Sequence, residues 1–158
     1  PYTIREVGGV RVGVIGQAFP YTPVSHPRRF VPDLTFGIRE DAVQGLVNEL
    51  RDDKKVDLVV LLSHNGVAVD LKLAGRVHGL DVVLGGHTHD ALPQPIQVNR
   101  TLVVNSGSHG KFLSRLDLDV QRGRGRGPPR SPPAPPPASA HSRSRAPSAS
   151  AIRSGRAP

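Results

Sequence analysis

Along the first 120 positions, short apolar runs alternate with polar, Gly-bearing connections, as in a layered α/β domain. The chain opens at Pro1 in what reads as the run-in to a strand. Val10-Arg11-Val12-Gly13-Val14-Ile15-Gly16 predicts a strand ending at glycine. Pro20, Pro23, Pro27 and Pro32 predict a long, ordered surface loop over 20–37. From Ile38 to Leu50 the pattern turns helical, with Val43, Leu46, Val47 and Leu50 on one face at three- and four-residue spacing. Asp57–Ser63 is continuously apolar, as a strand buried on both faces should be. A short helix over Val69–Val77 and a strand over Leu80–Leu84 follow, then two more strands at Thr101–Val104 and Lys111–Asp119.

The pattern breaks near Val120. Residues 121–158 run through Arg-Gly repeats from Arg122, then Pro128-Pro129 and Pro135-Pro136-Pro137, with Ile152 as the only large aliphatic side chain. Such a segment has too little apolar surface to offset the entropy of ordering, so it predicts a disordered tail after a domain at 1–120. Three origins fit it: an RNA-binding arm, a native flexible tail, or a reading-frame slip in GC-rich DNA near residue 121. Against the first, no aromatic residue is interleaved among the arginines.

Charge supports the same division. The net charge is +8, and residues 121–158 contain eight Arg and no acidic residue, so the tail alone carries it. The globular part is neutral, and the basic balance is no argument for a nucleic-acid partner there. The chain has no Cys, which excludes disulfides, thiolate metal sites and cysteine nucleophiles. It has no Met either, and with the start at Pro1 this predicts an internal piece of a longer chain. No apolar run reaches the length of a membrane span.

Candidate chemistry sits at two strand ends. Leu62-Ser63-His64-Asn65-Gly66 lies where a buried strand becomes a loop, and Gly85-Gly86-His87-Thr88-His89-Asp90 ends the next strand. Ligands gather at the carboxyl ends of strands in open α/β sheets. If the two strands are neighbours, His64 comes close to His87 and His89. In an extended turn, residues i and i+2 project to similar sides, so one short loop offers two imidazoles to adjacent metals. Neutral imidazole suits manganese, iron or zinc. An isolated His is more often an ordinary polar loop residue, and His26, His78, His109 and His141 have no motif around them.

Ser63-His64-Asn65-Gly66 and Gly85-Gly86-His87-Thr88-His89 resemble the last two metal-binding motifs of the calcineurin-like metallophosphoesterases, in the branch containing the periplasmic 5′-nucleotidases. Gly16-Gln17-Ala18-Phe19-Pro20-Tyr21-Thr22-Pro23, Pro27-Arg28-Arg29-Phe30 and Thr35-Phe36-Gly37-Ile38-Arg39 resemble more narrowly the thiosulfohydrolases of bacterial sulfur oxidation. So do Val69-Asp70-Leu71-Lys72-Leu73-Ala74 and Gly107-Ser108-His109-Gly110-Lys111-Phe112-Leu113, although His109 stands where Asn is expected. The resemblance spans nearly all of 7–120 and none of 121–158.

It implies an α/β fold that is part of a four-layer α/β/β/α sandwich, and two divalent metal ions, preferably manganese. His64 and His87 would be ligands of one metal and His89 of the other. The family's remaining ligands and its catalytic His belong to motifs not found before Gly8, so the resemblance implies about half a site. Gln17, Tyr21 and Arg28 are candidate substrate contacts, with packing or solvation as the alternative for Tyr21 and Arg28. The implied reaction is release of sulfate from a thiosulfonate linked to a cysteine of a sulfur-carrier protein, in the periplasm. A 5′-nucleotidase of the same fold is the alternative. From another class comes a nucleic-acid-binding tail on an inactive domain.

Overall fold

The computed structural model describes residues 2–118 and 120; the segment 121–158, expected to be a disordered tail, lies outside the described residues. Six strands form one sheet: β1 (Tyr2–Val7), β2 (Val10–Gln17), β3 (Leu58–Ser63), β4 (Val82–Gly85), β5 (Ile96–Val98) and β6 (Thr101–Asn105), in the order β1-β2-β3-β4-β6-β5. The four middle strands are parallel, and β1 and β5 close the edges antiparallel to β2 and β6. The β1–β2 hairpin turns through Gly8 and Gly9, both at positive φ. Two left-handed residues are what a two-residue turn needs to match the twist of its strands.

Side-chain alternation divides the sheet into two faces. Ile15, Val59, Leu61, Val83 and Val103 are buried on one, beneath helices α2 (Glu40–Asn48) and α3 (Val67–Arg76). Helix α2 contributes Val43 and Val47 to this core, and Leu50 follows on a wide last turn at Glu49–Asp53, where the Lys54 N–H reaches the Glu49 carbonyl. Helix α3 contributes Leu73 and Ala74, with Val77 at its C-cap. The opposite face carries Val12, Val14, Val60, Leu62, Val82, Leu84, Leu102 and Val104. It is apolar throughout, as a sheet in the middle of four layers must be, yet Leu62 is 47% and Leu84 39% exposed. The described residues thus supply two of the four expected layers, one sheet and one layer of helices.

Three details differ from the sequence reading. The expected loop at 20–37 contains a four-residue helix, α1 (Thr22–Ser25), and a 3-10 turn at Arg28–Phe30. Edge strands β1 and β5 carry mostly exposed side chains, so their alternation is weak. The strand expected at Lys111–Asp119 is not formed over 111–118. A strand persists only where a neighbour takes its backbone hydrogen bonds, and no described strand runs beside this segment.

Candidate metal centre

Parallel pairing sets the site. β2, β3 and β4 are adjacent, with Gln17 level with Ser63, and Leu62 level with Leu84. Their carboxyl ends therefore deliver Gln17, His64 and the Gly85–Asp90 loop to one rim. The His64 and His87 rings meet edge to face with centroids 5.2 Å apart. Phe19, two residues past β2, stacks on His87 at 4.0 Å and meets His64 edge-on at 6.2 Å. Both histidines remain exposed on their outer side.

The loops approach closely because glycine lines the seam. A Cβ on Gly86 would stand 3.1 Å from His64 Nδ1, and one on Gly66 would stand 2.7 Å from Thr88 Cγ2. The histidine loop is also pinned: the Val67 N–H donates to the Thr88 hydroxyl at 3.2 Å, and that hydroxyl donates to Asp90.

The loop is not extended. His87 and His89 both hold left-handed backbone, at φ of 71° and 57°. Each such residue costs about 1 kcal/mol and persists only where its surroundings enforce it. With left-handed backbone on either side of Thr88, the two imidazoles go to different partners instead of sharing one side. His87 faces His64, whereas the His89 ring lies 5.6 Å from His109. His109, expected to stand in solvent alone, is exposed but has this partner.

Beneath the rim is a buried polar cluster. Ser63, Asn65, Asp70 and Asn105 are 7%, 3%, 0% and 1% exposed. The Ser63 hydroxyl donates to Asp70 Oδ1 at 2.5 Å, and the Asn65 amide donates to Asp70 Oδ1 at 3.2 Å and to Gln17 Oε1 at 2.9 Å. Burial pushes the Asp70 carboxyl above its ordinary value, against the hydrogen bonds from Ser63 and Asn65 and the nearby His64, which lower it.

Of the candidate substrate contacts, Gln17 is half-buried, and both ends of its amide are engaged, by Asn65 and by the Ile38 carbonyl. Tyr21 is 49% exposed and packs edge-on against Phe19, with centroids 5.6 Å apart. Arg28 is exposed and lines a surface hollow with Pro23, Val31, Leu34, Thr35 and Phe36, none of them on the histidine loops. Phe19, Asn65 and Asp70 received no role from the sequence. All three stood inside the resembling stretches, and for Asp70 an acid on the buried side of an amphipathic helix was the available signal.

Two imidazoles that share a cation, with metal–nitrogen distances of about 2.0 to 2.1 Å, place their ring centroids roughly 5 to 5.5 Å apart. His64 and His87 fit that spacing. His89 does not join them, and among the described residues no group of three or more His, Asp or Glu converges to hold a metal. His64 and His87 stand together as one imidazole pair, and His89 stands beside His109 as another.

No family profile matches the chain. Its structure is similar to that of a sulfate thiohydrolase SoxB from Thermus thermophilus, with a TM-score of 0.72 and 42% identity over 77% of this chain and 22% of that one. A 5′-nucleotidase precursor from the same species gives a TM-score of 0.60 and 35% identity, covering 71% of this chain and 25% of its own. In sequence, the trifunctional nucleotide phosphoesterase YfkN of Bacillus subtilis is 32% identical over 122 residues, 75% of this chain and 8% of that protein. The chain belongs to the 5′-nucleotidase branch of the metallophosphoesterases. It spans a quarter or less of the length of each of these relatives. Among the described residues, no helix is long and apolar enough to cross a membrane.

Proposed function

We propose that this chain is part of a dinuclear-metal hydrolase that releases sulfate from a thiosulfonate linked to a carrier-protein cysteine. The observation that carries the reading is the His64–His87 pair at the ends of adjacent parallel strands, in a chain 42% identical to SoxB over 77% of its length. In the stretch that resembles the thiosulfohydrolases, Phe19 stacks on the pair, Gln17 bonds to its buried support, and Tyr21 packs on Phe19.

In this reading His64 and His87 hold one divalent cation, manganese by family preference, and His89 belongs to a second. Such cations supply Lewis acidity and a bound water that ionises near neutral pH. The chain's own residues do the rest. Phe19 covers one face of His87, which fixes the ring plane and keeps water from that side. The left-handed backbone at 87 and 89 directs two imidazoles of one loop to different places. A carrier segment would dock on the proline-rich loop, where Tyr21 packs on Phe19 and Arg28 lines the surface hollow away from the histidine loops. In this reading the whole protein works in the periplasm, as the resemblance to the thiosulfohydrolases implies.

A 5′-nucleotidase is the second reading, favoured by curated relatives such as the 5′-nucleotidase of Diplobatis ommata, 34% identical over 142 residues. The test is steady-state turnover by a protein carrying this segment together with the upstream part of the domain. It is offered AMP and, separately, a carrier bearing a cysteine-linked thiosulfonate. Sulfate release from the carrier is expected. Phosphate release from AMP without sulfate release overturns the proposal in favour of the nucleotidase. The nucleic-acid reading rests on 121–158 alone; RNA binding that weakens steeply with salt would support it.

A further inference from the structure

Asp70 lies in the first turn of α3 and is wholly buried, yet it is no candidate ligand. Its Oδ1 takes hydrogen bonds from Ser63 and Asn65, the two residues that flank His64. Its Oδ2 has no hydrogen-bond partner among the described residues and faces the end of β4, where a Cβ on Gly85 would stand 2.7 Å away. Gly85 is two residues before His87. Asn105, at the end of β6, has its amide nitrogen 3.8 Å from the same point. One carboxylate therefore bonds both residues that flank His64 and lies against Gly85, two residues before His87.

An apolar side chain would occupy this place at less cost, because burying a carboxylate is expensive unless it is paired. Ser63 and Asn65 have few other ways to be satisfied: Ser63 is 7% exposed, and its hydroxyl is also the acceptor for the Asn65 N–H at 3.1 Å. The strand-end turn at 63–65 is thus wound around Asp70. Just past the last paired level of β3 and β4, Gly85 leaves room for the same carboxylate, which a Cβ there would crowd.

We propose that Asp70 is a positioning residue that sets the His64 loop against the His87 loop, through Ser63 and Asn65 on one side and Gly85 on the other. What the loops hold rests on the metal reading above; that Asp70 couples them does not.

The test is amide hydrogen exchange on the full 158-residue chain without added metal, comparing the parent with Asp70→Ala and Asp70→Asn. Asparagine keeps the acceptor oxygen and the size. In Asp70→Ala, exchange should rise at least about tenfold at 64–66 and at 85–87, with 59–61 in the core of β3 within about twofold. Asp70→Asn should stay within about threefold of the parent in both loops. A rise in only one loop, a uniform rise throughout the chain, or an Asn variant as loose as the Ala variant overturns the proposal. If Asp70→Ala does not fold, Ser63→Ala takes its place. It should loosen 64–66 and, through the displaced carboxylate, 85–87; an unchanged 85–87 overturns the proposal. A Zn²⁺ titration of the parent and of His64→Ala judges the metal reading separately. Equal binding by both sinks that reading and leaves the exchange result standing on its own.

Discussion

Replacing Gly85 by Ala tests the packing under the site directly. The new methyl would stand 2.7 Å from Asp70 Oδ2, where ordinary contact begins near 3.4 Å, and 3.4 Å from the Val104 carbonyl on its other side. It cannot withdraw toward β6, and Asp70 cannot swing aside without stretching its 2.5 Å bond to Ser63. Gly85 has no positive φ, so the cost is one of space alone. Overpacking at such a position costs about 1 to 3 kcal/mol. Weakening a charge-assisted bond adds roughly 1 kcal/mol. The control is Gly16→Ala at the end of β2, where a Cβ meets nothing within 4 Å. That change should be neutral or stabilise by up to about 0.5 kcal/mol. Urea unfolding of the full chain, followed by far-UV circular dichroism, should move the Gly85→Ala midpoint down by about 1 M with unchanged slope. In an Asp70→Asn background the penalty should persist, since the amide has the same bulk. Gly85→Ala and Gly16→Ala agreeing within about 0.3 kcal/mol would refute the reasoning.

Gly45→Ala, on the exposed side of α2 with nothing within 4 Å, should stabilise the chain by about 0.5 to 1 kcal/mol and raise Tm by a few degrees. Burial, opposed by Arg51 and the Val59 N–H, raises the Asp81 carboxyl above 3.8, so the folded chain holds that proton more tightly than the unfolded chain. Its contribution to stability is therefore full below 3.8 and falls as pH rises through the raised value; Asp81→Asn should flatten that part of a stability-against-pH curve. Calorimetric Zn²⁺ titration should show His64→Ala weakening binding at least about tenfold and His109→Asn leaving it within about twofold, because the His109 ring pairs with His89 and not with His64. Phe19→Ala should leave stability within about 1 kcal/mol but broaden the His87 ring resonances, since the stacked face that holds that ring is gone.

The middle of the sheet was legible because burial there is periodic. Val43 and Val47 repeat at helical spacing, and β3 is apolar on both faces for the physical reason that both are covered or built to be covered. Strand β5, three residues long between a proline and the left-handed Asn99, has no room for a period. Lys111–Asp119 carried the period without the pairing, which residue order alone does not display. At the site, glycine beside histidine at a strand end located both loops. The direction of each imidazole was not legible, because it depends on the sign of φ at 87 and 89. The buried Asp70 was hidden for a similar reason. Its partners Ser63 and Asn65 are near in sequence, but Gly85 and Asn105 reach it only through strand order.

The left-handed backbone at His87, His89 and His109 changes what an alanine scan of this chain would report. Histidine tolerates that region better than alanine does, so each alanine there removes an imidazole and also tilts the loop toward another shape. A lost activity at those three positions would mix two causes, and glycine, which keeps the backbone at ease, separates them. At His64, which has no positive φ, alanine removes the ring without that second penalty. A genetic screen that scores all four histidines by alanine alone would therefore rank the residues of the Gly-Gly-His loop too high relative to His64, for reasons of chain geometry and not of chemistry.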